Sequence, residues 1–346
     1  MVDVIIPARN EEDCLGRCLQ SLVAQQGISF QITVVDDGST DRTRAIAESF
    51  PGVRVLSAGE LKPGMTGKCN ALITGIAGSV AEWLLFTDAD TFHYLGSLAG
   101  AVREAQERRV DLLSYSPEQE VASFAERILM PLVFADLVRT YPPDRVNDPQ
   151  DPTVAANGQY ILVRRTVYEA LDGHACVSGK LLEDVELARN YKVSGHRIWF
   201  RYGGDMVRTR MYRSFRAMSE GWTKNLALLF PHPLRLAVVY SIEFVAMLAL
   251  PIAGIVMLSH HPMDATALLG FGIILYLNHL EKIWKAHFSW SANLLSFLGL
   301  PLFVSLLIRS YIHSYIRGEL TWKGRKYAQS APKAAVDSSI RKGDLR

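Results

Sequence analysis

The stretch that decides the fold is Trp83-Leu84-Leu85-Phe86-Thr87-Asp88-Ala89-Asp90-Thr91. Its unbroken apolar run suits a strand buried on both faces, as in a parallel sheet covered by helices. The run stops at Thr87, and two carboxylates separated by one residue follow at its carboxyl end. Open α/β sheets bind their ligands at that end. Two such carboxylates can converge on a hard, oxygen-preferring cation and leave positions open for phosphate oxygens. The triplet alone is common, so its meaning depends on what surrounds it.

Toward the N-terminus the pattern repeats. Val2–Ile6 reads as a short apolar strand, and Pro7-Ala8-Arg9-Asn10-Glu11-Glu12 as a turn into a helix with Leu15, Leu19, Leu22 and Val23 on its buried stripe. Gln31–Val35 predicts a second strand running into Asp36-Asp37-Gly38-Ser39-Thr40-Asp41, whose Ser/Thr/Asp cluster caps a helix through Ala45, Ile46 and Ala47. Val53–Leu56 is a third strand, and Gly64–Lys68 leads into a helix through Ala71, Leu72 and Ile76. The alternation predicts an α/β fold, a Rossmann-like and mostly parallel sheet with helices on both faces. Asp36-Asp37 takes the same strand-end position as Asp88-Ala89-Asp90. A carboxylate there can accept hydrogen bonds from a ribose or a uracil ring, and a capped turn would account for the pair equally.

Toward the C-terminus the reading changes twice. Residues 116–230 are mixed, with a Pro/Asp-rich loop expected over Tyr141–Pro152 and strands over Gln159–Val163 and Ile198–Tyr202. A helix around Leu182–Tyr191 opens on Glu183-Asp184, acidic residues that its dipole favours. Transfer to a hydroxyl also needs a base, which makes Asp184 a candidate with Glu183 in support. From 234 the chain turns apolar. Leu236–Ser259 is interrupted only by Glu243, Ala265–Leu280 is shorter, and Leu294–Ile312 is again near the roughly 20 residues that cross a bilayer. Glu243 is costly in lipid and calls for a protein-facing position, paired with a lysine or arginine of another segment.

These shifts divide the chain into a catalytic part (1–230, with an interfacial segment at 205–230), a membrane region (234–313, two to three hydrophobic helices) and a basic tail (314–346). The tail carries Arg317, Lys323, Arg325, Lys326, Lys333, Arg341, Lys342 and Arg346, a cytoplasmic, membrane-proximal signature. With tail and catalytic part both cytoplasmic the crossings are even in number, and one run is re-entrant or interfacial. If all three cross, the tail lies outside, against the positive-inside tendency, and the sequence leaves both arrangements open. Over the whole chain, 37 basic and 35 acidic side chains leave a net charge of +2, which argues against a nucleic-acid partner. Cys14, Cys18, Cys69 and Cys176 form no disulfide framework. The i, i+4 pair Cys14/Cys18 lacks the partners of a zinc site, so reduced thiols in a cytosolic compartment are expected. Met1–Pro7 shows no signal peptide.

Ile5–Glu12, Val34–Asp41, Gly67-Lys68-Cys69-Asn70-Ala71-Leu72, Phe86–Asp90 and Leu182-Glu183-Asp184-Val185-Glu186-Leu187 occur in order. Together they resemble family 2 glycosyltransferases of the GT-A fold, over roughly residues 2–225. The resemblance implies inverting transfer from a UDP-sugar, Asp184 as base, and Mg²⁺ or Mn²⁺ at Asp90 assisted by Asp88. It further implies that Pro7, Arg9, Glu11, Asp36 and Asp37 line the nucleotide site and that Lys68 lies near the diphosphate, a cation offsetting phosphate charge. Asn157-Gly158-Gln159-Tyr160, Gly173-His174-Ala175, Met211–Phe215, Gly221–Asn225 and Trp322-Lys323-Gly324-Arg325 are similar to membrane-bound members acting on lipids, of the carotenoid (diaponeurosporenoate-type), hopanoid-associated and ceramide kinds. Asn157, His174, Arg213, Trp222 and Lys224 are the expected acceptor-side residues. Trp222 could stack on a sugar face; it could equally anchor a helix at a lipid interface with Lys224. Processive relatives carry Gln-x-x-Arg-Trp, whereas Met218-Ser219-Glu220-Gly221-Trp222 keeps only the tryptophan, so a single transfer is expected.

The function that follows is metal-dependent transfer of a sugar to a membrane lipid, by a multi-pass cell-membrane protein with a cytoplasmic catalytic domain. Polyprenyl phosphate or a polysaccharide is the alternative acceptor. A silent nucleotide-sugar-binding scaffold would have no need of Asp36, Asp37, Asp88, Asp90 and Asp184 together, and nucleotidyl transfer would release pyrophosphate in place of UDP.

Overall fold

A computed structural model describes residues 1–317, 319–322 and 325–328. The chain divides into two compact units, Met1–Ala122 with Leu137–Met211, and Ser123–Asp136 with the chain from Tyr212 onward.

The first unit begins β1 (Val2–Ala8), α1 (Leu15–Val23), β2 (Phe30–Asp36), α2 (Thr43–Glu48), β3 (Val53–Ser57), α3 (Gly67–Gly75), β4 (Trp83–Phe86) and β5 (Thr91–His93). It continues with α4 (Ser97–Arg108), β6 (Leu112–Ser116) and β7 (Glu118–Gln119). The helix α5 (Phe124–Thr140) belongs to the second unit as far as Asp136. Then come α6 (Pro143–Asn147), β8 (Ile161–Arg164), α7 (Arg165–Ala170), α8 (Glu183–Val193), β9 (Ile198–Tyr202) and β10 (Val207–Thr209). The main sheet has seven strands in the order β3-β2-β1-β4-β8-β6-β9. All neighbours are parallel except β8, which runs antiparallel to both β4 and β6.

Side chains alternate across a strand, and β1 shows why its sequence, Asp3 apart, is apolar on both faces. Val4 and Ile6 join Leu15, Leu19, Val34 and Leu85 in one core, while Ile5 joins Val35, Leu72, Leu84 and Phe86 in the other. A smaller sheet, β5-β10-β7, was not legible in the sequence, because its strands have two or three residues each. The loop expected over Tyr141–Pro152 contains α6, which Pro143 starts from its first helical position, where a missing N–H costs nothing. The side-chain cap expected for α2 is not made at its N-cap, which is Arg42; Asp41, one residue earlier, instead accepts from the Thr43 N–H through Oδ1 at 3.0 Å. No disulfide joins Cys14, Cys18, Cys69 and Cys176.

In the second unit, α9 (Phe215–Leu229) precedes α10 (Pro233–Met257) and α11 (Pro262–Trp284). The third apolar run is broken into α12 (Trp290–Leu295), a 3₁₀ turn over Ser296–Gly299, and α13 (Leu300–Tyr311), which ends in a wide helical turn over Ile312–Arg317. Among the described residues three segments, Pro233–Met257, Pro262–Trp284 and Trp290–Ile316, are long and apolar enough to cross a membrane. Glu243 is buried as expected, with Lys282 Nζ 3.2 Å away and His279 Nδ1 at 2.9 Å. The basic tail falls partly on the hairpin β11 (Glu319–Trp322) and β12 (Arg325–Ala328). Its remainder, with Lys323, Lys333, Arg341, Lys342 and Arg346, lies outside the described residues.

Candidate active site

The sheet brings the ends of β1, β2 and β4 side by side, and the candidate residues follow those strands. Pro7 pairs with Val35 and Ala8 with Asp36, so the Pro7–Glu12 turn leaves β1 beside Asp36-Asp37. The Asp37 N–H extends the ladder to the Ala8 carbonyl at 2.9 Å. Arg9 Nη1 donates to the Asp37 carbonyl at 3.1 Å and lies 3.7 Å from its carboxylate. Asp36 Oδ1 accepts from the Ser39 N–H at 3.1 Å, closing the turn after β2. Glu11 is fixed through its N–H to Thr43 Oγ1 at 2.8 Å, and its carboxylate accepts from the Cys14 thiol at 3.0 Å. Asn10 absorbs the sharp bend with a φ of 53°, a conformation that asparagine tolerates better than most residues.

At the end of β4 the chemistry concentrates. Lys68 stands in the first turn of α3, which Thr66 caps by accepting from the Cys69 N–H at 3.2 Å. Its ammonium lies 2.9 Å from Asp88 Oδ1 and 3.0 Å from Glu183 Oε1. The antiparallel pairing of β8 with β4 sets Ile161 opposite Phe86, which carries the turn before β8 to the same edge. There the Gly158 N–H donates to Asp184 Oδ2 at 2.8 Å. A Cβ added to Gly158 would stand 2.8 Å from Lys68 Nζ and 3.4 Å from Asp184 Oδ2. One cation and three carboxylates, from α3, the β4 end and the start of α8, thus share a small volume.

Their electrostatics follow from that crowding. Burial, and then the neighbouring Glu183 charge, push the Asp184 carboxyl up to about 6 against the opposing pull of Lys68. Burial by itself would lower Lys68, but Asp88, Glu183 and Asp184 hold it well above the ordinary lysine value. A permanent cation beside a carboxyl that ionises near neutrality suits a phosphate contact and a proton acceptor.

Asp88 and Asp90 flank the buried Ala89 on a turn held from below. Thr91 Oγ1 donates to the Asp88 carbonyl at 2.8 Å, Thr209 Oγ1 to the Asp90 carbonyl at 3.1 Å, and Thr87 Oγ1 to the Gln159 carbonyl at 2.8 Å. His93 Nε2 sits 3.2 Å from Thr87 Oγ1 and 3.1 Å from Thr91 Oγ1, and burial pushes this histidine down to about 3, so it is neutral. This support was missed by sequence reasoning; its signal was the threonine on each side of the aspartates, with the histidine two residues further on. Among the described residues no three His, Cys, Asp or Glu side chains gather as a self-sufficient metal cage. Two carboxylates on one turn are the donor set of a Mg²⁺-type cation that completes its shell with substrate phosphates and water, and the turn fits that pattern.

The acceptor-side expectations fall in two places. Asn157 shapes the turn that presents Gly158, its N–H donating to Ser114 Oγ at 2.8 Å and its Oδ1 accepting from the Gln159 N–H at 3.0 Å. His174 is enclosed against Phe86, 4.6 Å between ring centres, with Nδ1 2.9 Å from the Tyr168 hydroxyl. Burial pushes its imidazole down to about 4. Arg213, Trp222 and Lys224 belong to the second unit. Arg213 is exposed, whereas Trp222 is enclosed between Phe134 and Tyr212 at 6.2 and 5.9 Å.

Comparison with known proteins bears on the family and the fold. Residues 3–171 match the model of Glycosyl transferase family 2. The chain is 27% identical to the 4,4'-diaponeurosporenoate glycosyltransferase of Staphylococcus aureus, over 94% of this chain and 88% of that protein. In fold it is similar to the mannosyltransferase PcManGT from Pyrobaculum calidifontis, solved in complex with GDP-Man and Mn²⁺, with a TM-score of 0.50 and 19% identity over 90% of this chain and 86% of that one.

Proposed function

We propose that this chain, a family 2 glycosyltransferase of the GT-A fold, transfers one sugar from a UDP-sugar to a membrane lipid with inversion at the anomeric carbon. The observation that carries the reading is the cluster of Lys68, Asp88, Glu183 and Asp184 at the ends of β4, α3 and α8. An acceptor oxygen attacks the anomeric carbon as the bond to the diphosphate breaks, and the electron pair leaves with UDP. Asp184, its carboxyl poised near neutrality, takes the proton of an acceptor hydroxyl; its Gly158 hydrogen bond aims the carboxylate. Glu183 holds Lys68 in place, and Lys68 stabilises charge developing on the leaving diphosphate. Asp88 and Asp90 would hold a Mg²⁺ or Mn²⁺ ion, which supplies Lewis-acid neutralisation of that same charge. Arg9 and Asp37, tied together over the β2 end, and Pro7, Glu11 and Asp36 beside them form the nucleotide side.

The lipid acceptor rests on the apolar helices of the second unit and on the carotenoid acceptor named for the S. aureus relative. The catalytic unit faces the cytoplasm, with Arg213 and Lys224 as acceptor-side charges and Trp222 acting through packing. The test is nucleotide release by the purified protein in detergent, with Mn²⁺, a lipid extract and either UDP-sugars or GDP-mannose. UDP release that requires the extract and is lost in Asp184→Asn is the expected result. Release of GDP alone would refute the UDP assignment, pyrophosphate would indicate nucleotidyl transfer, and full activity in Asp184→Asn would remove the proposed base.

A further inference from the structure

We infer that, of the three apolar segments, α10 and α11 cross the membrane, as a hairpin whose tip at Leu258–His261 lies on the side opposite its Arg235 and Lys282 ends. The third apolar segment, α12 to α13, stays at the near side and does not cross. This rests on the membrane attachment proposed above and goes beyond it by assigning each segment.

The first observation is the charge pattern. No lysine or arginine occurs from Leu236 to Glu281, while Arg235 stands at the start of α10 and Lys282 and Lys285 at the end of α11. Basic residues stay on the cytoplasmic side, so both ends of the hairpin lie there and its tip lies across. The dimensions agree. Val238 to Val256 is about 27 Å of helix, and Met263 to Lys282 about 28 Å, against a hydrocarbon core of about 30 Å.

The outward surface is the second. Ile242, Val245, Ile252 and Ile255 of α10, and Phe271 and Ile274 of α11, are all more than half exposed. Inward, the helices meet closely at glycines, where a Cβ on Gly254 would stand 2.9 Å from Leu269 and one on Gly272 2.9 Å from Pro251. Small residues at a helix interface with apolar residues outside are the pattern of helices packed in lipid. Trp284 and Trp290, both exposed and 4.4 Å apart, stand beside Lys285 as an interfacial anchor.

The third segment differs in each respect. It is 44% buried in its most apolar stretch, against 22% and 17% for α10 and α11. The 3₁₀ turn breaks it, and a Cβ on Gly299 would fall 2.0 Å from the Ile128 carbonyl oxygen of α5. Its outward row mixes Leu298 and Ile308 with Ser305 and Arg309. Arg309 donates to Ser219 at 3.2 Å, and Ser310 Oγ accepts from the Ala227 N–H at 2.8 Å, both on α9, whose own outer face carries the Arg216–Glu220 ion pair. At its other end Ser296 closes a buried chain, His279 Nε2 lying 2.9 Å from its hydroxyl and Nδ1 2.9 Å from Glu243. Lys282, half exposed, reaches back to that same Glu243. The polar chain pins the third segment to the base of the hairpin, where Lys282 can extend its ammonium to water.

The test uses the full chain in sealed membrane vesicles of both orientations and an impermeant maleimide, with labelled sites mapped by mass spectrometry. Native Cys176, exposed in the catalytic unit, reports that unit's side. Ser259→Cys marks the hairpin tip, and an epitope appended after Arg346 marks the far end of the third segment. Cys176 and the epitope are expected to be accessible from one face and Ser259→Cys from the other. Ser259→Cys labelled from the face of Cys176, or from neither face before detergent, would overturn the crossing hairpin. An epitope accessible only from the opposite face would overturn the assignment of the third segment. Release of the protein by alkaline carbonate would instead refute the underlying membrane attachment.

Discussion

Asp184 carries two opposed demands, and both can be measured. Its carboxyl is raised to about 6 by burial and Glu183, so the fraction able to accept a proton falls about tenfold per pH unit below that value. We expect kcat/KM to decline along that acid limb, and Asp184→Asn to lose roughly 10²- to 10⁴-fold in kcat. Stability should move the other way. A raised carboxyl favours the folded state most below its unfolded value of about 3.9, and the advantage is lost as pH rises through about 6. Asparagine has no charge to bury, so Asp184→Asn should be more stable than the parent at pH 8 by on the order of 1–3 kcal/mol, and show no gain at pH 4. A variant less stable at pH 8 would mean that the Asp184 charge is compensated. Lys68→Met tests the partner. It removes the cation that opposes the rise in Asp184, so the acid limb should shift to higher pH while activity falls. The Lys68 side chain is about a third exposed, so its loss should cost on the order of 1–3 kcal/mol, between exposed and buried pairs. An unmoved limb would separate Lys68 from Asp184. At this scale the sequence nominated candidate side chains but not their partners. Asp184, Lys68 and Asp88 were each legible from a local motif. The Gly158 hydrogen bond and the Lys68–Glu183 pair depend on β8 running against β4, which no local pattern encodes.

The elements set these distances through packing. Helix α3 delivers Lys68, and it can approach the sheet because Gly75 has no side chain. A Cβ there would stand 2.6 Å from Ile5 and 2.9 Å from Val35 on β1 and β2. Gly75→Ala should therefore lower stability by about 1–3 kcal/mol, the usual cost of overpacking, in denaturant titration. Activity per folded molecule should fall as well, because the displaced helix moves Lys68. Unchanged stability would mean that α3 can slide without strain. The Asn70 side chain, donating to the Ala58 carbonyl at 2.9 Å, is the tether that resists such sliding. Long elements with a clear apolar pattern were legible: β1, β2, β4, α1 and α10. The short strands β5, β7 and β10 were not, although β5 and β10 carry Thr91, His93 and Thr209, which hold the turn between Asp88 and Asp90 from beneath. Three-residue strands give no periodicity, and their polar residues resemble those of loops.

The two units differ in what stabilises them, and unfolding should expose the difference. The first is a sheet with an apolar core on each face, closed at one edge by charges that a nucleotide and a divalent ion would neutralise. The second buries little of α10 and α11 on its own, and under the membrane attachment proposed above its outward apolar residues would be covered by lipid or detergent. A ligand that binds only the folded state raises stability by RT ln(1 + [L]/Kd), about 2.7 kcal/mol at a hundredfold excess over Kd. UDP with Mn²⁺ should therefore raise one calorimetric transition in detergent and leave a second unchanged. A change of detergent chain length should move the second and leave the first. Chelation should abolish the UDP effect, and so should Asp90→Ala, whereas the Asp184→Asn protein should retain it because the role proposed for that carboxylate is toward the acceptor. A single transition that moves as a whole with either additive would show that the units unfold together, a multidomain chain behaving as two-state. The composition break near residue 234 already separated a polar part from an apolar one. The sequence did not show that Ser123–Asp136, far upstream, belongs with the apolar part. Apolar residues such as Leu129 and Leu132 read alike whether they face a sheet or other helices, so only the folded chain distinguishes the two.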